Sequence, residues 1–172
     1  MSFLHIKGIK RRMVFFAVNH IYKGPSHFEK KRKLLNKIGY KIGEGTKIVA
    51  PIECTANLEI GENCWIGKNF KVNGNGTVKI GNNCDIAPEV TFNTGGHDIG
   101  APERRAGEGK VFVQSVGNGT WIGARSTIVN NTCIGNSCVV AACSCVVKDI
   151  ADNSLVAGVP AKLIRMLSDN EK

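Results

Sequence analysis

The strongest constraint on the fold of this chain is an apolar residue that recurs every six positions. In the second half of the sequence Ile and Val hold this position without a shift, at Val116, Ile122, Ile128, Ile134, Val140 and Val146. An α-helix has a period of 3.6 residues, and a simple strand alternates with a period of two. A repeat of six residues is typical of a parallel β-helix, in which short strands are joined by regular corners.

The same repeat can be followed back through the sequence, with one shift of two residues at Gly74-Asn75-Gly76. The upstream positions are Ile42, Ile48, Cys54, Ile60, Ile66, Val72, Ile80, Ile86 and Phe92. Side chains two residues apart on a strand point to the same face, so we expect the small residues at i−2 to face inward as well: Thr120, Ser126, Thr132, Cys138 and Ser144. Three strands and three corners close a coil of about eighteen residues, and stacked coils bury a continuous core.

These repeats predict an all-β fold, a parallel β-helix over residues 41–166. We expect an α-helical segment before it at 1–40, a short C-terminal helix around Arg165, and a tail at 167–172. Gly, Asn and Asp follow many inward residues, as in Gly81-Asn82-Asn83 and Gly117-Asn118-Gly119. Such residues predict corners with positive φ.

The first 40 residues differ from the rest in charge. They carry ten basic residues and one acidic residue, whereas the remainder carries thirteen of each sign, so the whole net charge of +9 lies outside the repeats. Gly24-Pro25 should separate two helical stretches there. The apolar run at 13–22 is interrupted by Asn19 and His20, which makes it too short for a bilayer span or a secretory signal.

Two interpretations of this basic segment remain open. It could cap the first coil and pack Phe15, Phe16 and Ile21 on the core, since a terminal repeat needs covering. It could instead attach peripherally to an anionic membrane surface through its basic and apolar side chains. We expect no nucleic-acid partner, because no base-stacking motif or groove-reading element accompanies the charge.

The seven cysteines are predicted to be structural. Cys54 fills an apolar inward position, and three more fill the small inward position: Cys64, Cys84 and Cys138. A free thiol there behaves as a small buried hydrophobe. Cys143 and Cys145 form C-x-C without the second pair that a zinc site needs. We therefore expect no metal, and a reducing, cytoplasmic location.

The repeat is interrupted once, at residues 98–115, directly after the only histidine of the repeat region. Gly95-Gly96-His97-Asp98 leads into a stretch without the six-residue period. Loops on a rigid scaffold carry function disproportionately, and an imidazole can accept a proton from a hydroxyl near neutral pH. We interpret 98–115 as an active-site loop and His97 as a candidate general base. Asp98, Glu89 or a backbone carbonyl could orient its ring.

Several motifs together resemble those of the hexapeptide-repeat acyltransferases. They are the repeat itself, Gly-Gly-His-Asp before a loop, Trp121-Ile122-Gly123-Ala124, and the ending Gly158-Val159-Pro160-Ala161-Lys162. The most similar branch is the sugar O-acetyltransferases, which include galactoside, maltose and surface-polysaccharide acetyltransferases. The resemblance covers roughly residues 40–166. It implies a left-handed parallel β-helix, a homotrimer with active sites between subunits, and acetyl-CoA as the acyl donor.

The resemblance also implies roles for individual residues. The family's catalytic histidine matches His97, and an acceptor-binding Asn matches Asn73. Asn93 and Arg104, beside and within the loop, are further candidate acceptor contacts. Residues on the later coils match the family's acetyl-CoA contacts: Ala124, Ala142, Val147, Lys148, Lys162 and Arg165. Cations at the last of these positions suit the nucleotide phosphates.

Two departures from the galactoside acetyltransferase pattern bear on the acceptor. Lys71 stands where those enzymes have an aromatic residue, and the short turn Gly74-Asn75-Gly76-Thr77 has no acidic residue. We therefore expect O-acetylation of a glycan or surface-polysaccharide precursor rather than of a free galactoside or maltose. An N-acetyltransferase acting on an amino-sugar nucleotide and a non-catalytic scaffold subunit remain alternatives.

Overall fold

The computed structural model describes residues 3–168, with side chains from residue 8 onward. Residues 169–172 of the predicted tail lie outside the described part. The N-terminal segment forms α1 (Phe3–Phe16), a π-helical turn (Ala17–Ile21) and α2 (Phe28–Asn36). The break between the helices contains Gly24 and Pro25, which confirms the predicted division.

The rest of the described chain is a parallel β-helix, interrupted by one hairpin. In chain order the strands are β1 (Lys41–Ile42), β2 (Lys47–Ile48), β3 (Ile52–Cys54), β4 (Asn57–Ile60), β5 (Trp65–Ile66), β6 (Phe70–Asn73), β7 (Thr77–Ile80), β8 (Asp85–Ile86), β9 (Thr91–Asn93), β10 (Gly95–Ile99), β11 (Ala106–Val111), β12 (Val113–Val116), β13 (Trp121–Ile122), β14 (Thr127–Ile128), β15 (Cys133–Ile134), β16 (Val139–Val140), β17 (Cys145–Val146), β18 (Ser154–Gly158) and β19 (Ala161–Met166).

Each coil contributes one strand to each of three sheets, which we call faces 1, 2 and 3. Face 1 has the strand order β1-β4-β7-β12-β15, face 2 has β2-β5-β8-β13-β16-β18-β19, and face 3 has β3-β6-β9-β14-β17. Five complete coils and a partial sixth therefore stack along one axis. The hairpin of β10 and β11 stands apart from these sheets.

Inward residues of successive coils stack in register and form the core. On face 2 they are at most 1% exposed: Ile48, Ile66, Ile86, Ile122 and Val140. Every inward position predicted from the repeat is buried, including Cys54, Cys64, Cys84 and Cys138. Burial of each Ile or Val side chain contributes about 1.5–3 kcal/mol. The predicted core is thus confirmed.

The corners differ from the prediction in how they use glycine. The glycine directly after an inward residue, such as Gly61, does not have positive φ. A Cβ there would lie 2.7 Å from the carbonyl carbon of Gly81 in the next coil. Positive φ falls two residues later, on Asn63 and Asn83 (both 55°). Glycine therefore allows coils to stack closely, while asparagine adopts the left-handed turn.

The N-terminal segment covers the first coil and satisfies its open sheet edges. The Asn19 side chain donates to the Ile52 carbonyl (2.9 Å) and accepts from the Ile52 N–H (3.0 Å). Asn36 makes the same pair of bonds with Ile42, at 3.0 and 2.9 Å. These amides replace the neighbouring strand that an edge lacks.

The packing of α1 and the π-helical turn differs from the cap interpretation at two residues. Val14 and Val18 are buried, and Phe15 packs against the core. Phe16 and Ile21, however, are 60% and 61% exposed. The reason is geometric: Phe16 lies on another side of α1 from Val14, and the wider π-helical turn places Ile21 on that outer side as well. No helix within residues 3–168 is long and apolar enough to cross a bilayer.

The predicted C-terminal helix around Arg165 is wrong. Residues Ala161–Met166 form β19, which runs antiparallel to β18. Gly158, with a φ of 102°, begins the reversal of the chain. Because β18 is the last parallel strand of face 2, its outer edge would otherwise be unpaired, and β19 covers that edge.

Candidate active site

The interruption of the repeat is a β-hairpin that projects from the end of face 3. β10 leaves one residue after β9 and pairs antiparallel with β11. The hairpin begins at Gly95, before the predicted loop 98–115, and the coil resumes with β12 on face 1 inside that range. The residues of the hairpin are largely exposed, so its surface is open to ligands or to another copy of the chain.

His97 lies on β10, with its ring exposed and its Nδ1 atom 3.0 Å from the Gly107 carbonyl oxygen. A carbonyl can only accept, so in the neutral ring Nδ1 carries the proton and donates it to this bond. The lone pair of Nε2 is then left to accept a proton from a ligand. The group that orients His97 is thus a backbone carbonyl on β11, one of the three groups considered.

The two acidic side chains considered for this role have other partners. Asp98 forms an ion pair with Lys110 across the hairpin, with 2.5 Å between Asp98 Oδ1 and Lys110 Nζ. Glu89 pairs with Arg125 at 2.6 Å. Asp98 therefore braces the hairpin, whose Gly107 carbonyl holds the histidine.

Asn73 and Asn93 lie side by side at the end of face 3, where β6 and β9 are in register. Asn73 Nδ2 donates to Asn93 Oδ1 at 3.1 Å, and both side chains are half-buried. The hairpin that carries His97 starts two residues after Asn93. The candidate base and two of the predicted acceptor contacts therefore lie in or next to one corner, which we call the acceptor corner.

Sequence reasoning missed two buried polar residues that hold this corner. Thr94 Oγ1 donates to the Asn73 carbonyl (2.8 Å) and accepts from the Gly76 N–H (3.0 Å). Gln114 Nε2 lies 3.0–3.2 Å from three carbonyl oxygens, those of Asn93, Ile128 and Asn130. A signal for Gln114 was present, because it occupies the inward position two before Val116 that other coils fill with a small residue.

Arg104 is not at the acceptor corner of its own chain. It lies in the turn between β10 and β11, where its N–H donates to the Ala101 carbonyl at 3.0 Å. The five residues of β10 separate this turn from face 3. Arg104 remains a candidate only for an acceptor that the hairpin tip can reach.

Some of the predicted acetyl-CoA contacts stack at the corner between faces 2 and 3. Ala124 follows β13, Ala142 follows β16 one coil later, and the Cys143 N–H donates to the Ala124 carbonyl at 2.8 Å. Lys162 lies near this corner on β19, opposite Ala157 of β18, and Arg165 lies three residues further along the same strand, with both side chains exposed. Two small residues with cations beyond them suit a thin arm that ends in phosphates. We call this the donor corner.

Val147 and Lys148 lie elsewhere. They follow β17, at the opposite edge of face 3, which is the edge of Asn73 and Asn93. Ala142 and Val147 are five positions apart, and β17 of face 3 lies between them. One copy therefore places the predicted donor contacts at two separate corners. Within residues 3–168, no three His, Cys, Asp or Glu side chains form a group that could hold a metal ion.

The parallel β-helix built from six-residue repeats is the fold of the hexapeptide-repeat acyltransferases. The galactoside O-acetyltransferase of Escherichia coli (strain K12) is 33% identical over 168 residues, which cover 96% of this chain and 82% of the relative. No protein-family model matches the chain. At this identity and coverage, the chain belongs to the sugar O-acetyltransferase branch of the hexapeptide-repeat acetyltransferases and is an acyltransferase.

Two solved structures are similar over nearly the whole chain. A galactoside acetyltransferase in complex with coenzyme A is 31% identical with a TM-score of 0.82, over 98% of this chain and 84% of that one. A hexapeptide-repeat acetyltransferase of Vibrio cholerae complexed with acetyl coenzyme A is 25% identical with a TM-score of 0.82, over 96% and 89%. Both confirm the β-helical fold that the repeat predicts.

Proposed function

We propose that this protein transfers the acetyl group of acetyl-CoA to a hydroxyl group of a sugar, with His97 as the general base. The bond from His97 Nδ1 to the Gly107 carbonyl carries the proposal, because it leaves Nε2 to take the hydroxyl proton. The complexes of similar acetyltransferases with CoA and acetyl-CoA support the choice of donor.

The proposed reaction needs one imidazole and no further acid. Nε2 takes the proton while the sugar oxygen bonds to the thioester carbonyl carbon, and backbone N–H groups stabilise the tetrahedral oxyanion. The carbon–sulfur bond then breaks, and the departing CoA sulfur takes the proton from the imidazolium. Asn73 and Asn93 orient the acceptor through the amide atoms that do not take part in their mutual hydrogen bond, Asn73 Oδ1 and Asn93 Nδ2. Ala124, Ala142 and Lys162 would hold the donor.

The proposed working unit is a homotrimer with each site between two copies. Within one chain, the width of face 3 lies between the donor corner and the pair Val147 and Lys148. A second copy is therefore needed if the donor corner and this pair are to contact the same acetyl-CoA molecule. Ile99 on the hairpin is 89% exposed. An apolar side chain on a projecting hairpin suits contact with that second copy.

The proposed location is the cytoplasmic face of a membrane, where α1 would touch the lipid. Apolar side chains on the outer side of this helix and its π-helical extension are 45–67% exposed: Ile9, Met13, Phe16 and Ile21. Exposed basic residues flank them: Lys10, Arg12 and Lys23. Apolar groups with cations around them suit an anionic lipid surface.

Flotation with vesicles tests this attachment. We expect the protein to float with phosphatidylglycerol vesicles and not with phosphatidylcholine vesicles. Phe16→Glu should abolish flotation, whereas Leu163→Glu, at a 57% exposed position on β19, should not. Equal flotation of the two variants would remove the membrane contact from the proposal.

An acceptor panel tests the activity itself. Purified protein, acetyl-CoA and single sugars, amino sugars or glycan fragments are mixed, and release of the free CoA thiol is followed. We expect release that depends on a hydroxyl acceptor, and an O-acetyl ester in the product by mass spectrometry. Acetylation of amines alone, or no release with any acceptor together with no stabilisation by acetyl-CoA, would contradict the proposal.

A further inference from the structure

A cleft of about 940 Å³ lies between α1 and the outer side of face 3. Its walls include Arg11 and Arg12 from α1, Glu53 from β3 and Lys71 from β6. Lys71 and Asn73 are two residues apart on the same outward side of β6, a separation of about 7 Å. The cleft is therefore next to the acceptor corner.

The charges in this cleft are unbalanced. Three of the four charged side chains on its walls are cations: Arg11, Arg12 and Lys71. Glu53 is the single anion, and in the part of the chain that the structure describes none of the four forms an ion pair. Lys41 and Glu59, on the neighbouring face, do pair at 2.8 Å. The cleft thus presents excess positive charge beside the acceptor amides.

Arg11 is a half-buried cation that is held in place without a counter-anion among the described side chains. Its Nη2 atom donates to the Tyr40 hydroxyl and to the Cys54 carbonyl, both at 2.6 Å. Its guanidinium also lies 5.5 Å from the Phe15 ring centre and 5.3 Å from that of Tyr40. Burial raises the pKa of Tyr40, so this phenol stays neutral. A fixed, partly desolvated guanidinium of this kind is well suited to an anionic ligand.

We propose that this cleft binds the phosphate or diphosphate group of a phosphorylated sugar, whose hydroxyl is presented to His97. The inference rests on the proposed function and narrows its acceptor class. The position of Lys71 is the main support for this inference, because that lysine lines the cleft and shares the outward side of β6 with Asn73. Phosphate oxygens are favoured partners of Arg and Lys, and a cleft of this volume is within the usual range for small-molecule sites.

Binding of inorganic pyrophosphate tests the cleft without knowledge of the sugar. Calorimetry is run with CoA present at saturation, so that the donor's own phosphate contacts are filled. We expect saturable binding to the wild-type protein that weakens roughly tenfold in Lys71→Gln, the loss typical of one charge-assisted hydrogen bond. Lys79→Gln, at an exposed position on face 1, is the matched control and should bind as the wild type does.

Kinetics with matched acceptors test the consequence for catalysis. Galactose and glucose are compared with their 1-phosphates, and a nucleotide sugar with a polyprenyl-diphosphate sugar. We expect a KM at least tenfold lower for phosphorylated acceptors, and a loss of this preference in Lys71→Gln and Arg12→Gln but not in Lys79→Gln. The last pair of acceptors distinguishes a soluble nucleotide from a lipid as the source of the phosphate.

Two results would overturn the inference. One is pyrophosphate binding that is absent or insensitive to Lys71→Gln; the other is a hexuronate that binds in place of pyrophosphate, which would make the site a carboxylate site. Failure of the proposed function looks different, because acetyl-CoA would then show no turnover with any acceptor while the calorimetry still reports on the cleft.

Discussion

At the scale of single residues, backbone carbonyls rather than acidic side chains organise the acceptor corner. The Gly107 carbonyl holds His97, and Gln114 ties together the carbonyls at the ends of β9 and β14. Neither contact could be predicted from the sequence. Each joins residues that are distant in the chain, and each uses a backbone carbonyl, which every residue has. His97 itself could be predicted, because it is the only histidine of the repeat region.

Replacement of Gln114 by Met should impair both stability and turnover. Three carbonyls lose their shared donor, which should lower the free energy of unfolding by about 1–3 kcal/mol. The loss of stability should lie toward the lower end of this range, because the wild-type protein already has a buried Gln114 Oε1 without a partner among the described residues. The end of β9 then moves, so kcat should fall while acetyl-CoA binding is retained. Urea denaturation and steady-state kinetics measure these quantities.

Thr46→Val is the control for that change. Thr46 is a buried polar residue of the first coil, and its Oγ1 donates to the Gly61 carbonyl at 2.7 Å. Its loss should lower stability without a change in kcat. Unchanged kcat in Gln114→Met would show that Gln114 is structural only.

Lys31 should make stability depend on pH in the alkaline range. Its side chain is fully buried, Nζ donates to the Gly24 carbonyl at 2.7 Å, and burial lowers the pKa from 10.5 to about 8. Between these two values the unfolded chain binds more protons than the folded one, so the free energy of unfolding should rise with pH. Below about pH 8 the lysine is charged in both states and adds no slope.

Comparison with Lys31→Met isolates this contribution from other groups that titrate in the same range. We expect the free energy of unfolding of the wild type, relative to that of Lys31→Met, to increase from pH 7.5 to pH 10. Urea denaturation at the two pH values provides the measurement. A difference that stays constant would mean that Lys31 has its ordinary pKa.

At the scale of elements, the six-residue repeat predicted the coils because each inward position depends only on local alternation and burial. The repeat did not predict two elements. The hairpin of β10 and β11 has no buried face and so leaves no hydrophobic pattern. In β19, residues 162–166 are exposed, and the strand forms because an edge of face 2 needs a partner, which a local pattern cannot show.

A methyl group at Gly61 should disturb the stacking of two coils. A Cβ there would lie 2.7 Å from the Gly81 backbone, which cannot yield as a flexible side chain would. We expect Gly61→Ala to lower the free energy of unfolding by about 1–3 kcal/mol. A Cβ at Gly109 would meet nothing within 4 Å, so Gly109→Ala should change stability by less than about 0.5 kcal/mol. Equal denaturation midpoints would refute this role for glycine.

At the scale of the whole molecule, the two corners of face 3 predict sites that are shared between copies. A chain with His97→Asn and a chain with Ala142→Trp should each be inactive, the second because the larger side chain blocks the donor corner. If each site combines the acceptor corner of one copy with the donor corner of the next, trimers refolded from an equal mixture have about a quarter of their sites intact. Activity no higher than that of the separate variants would place each whole site in one chain.

The most direct test of the central claim, that His97 is the general base, is the rate of acetyl transfer in two matched variants. His97→Asn removes the base, and His27→Asn changes an exposed histidine whose φ of 51° asparagine tolerates. With an acceptor found in the panel, we predict that His97→Asn lowers kcat by about 10²–10⁴-fold while acetyl-CoA still raises its melting temperature. His27→Asn should retain the wild-type rate. A His97→Asn protein that transfers acetyl groups at close to the wild-type rate would contradict the claim.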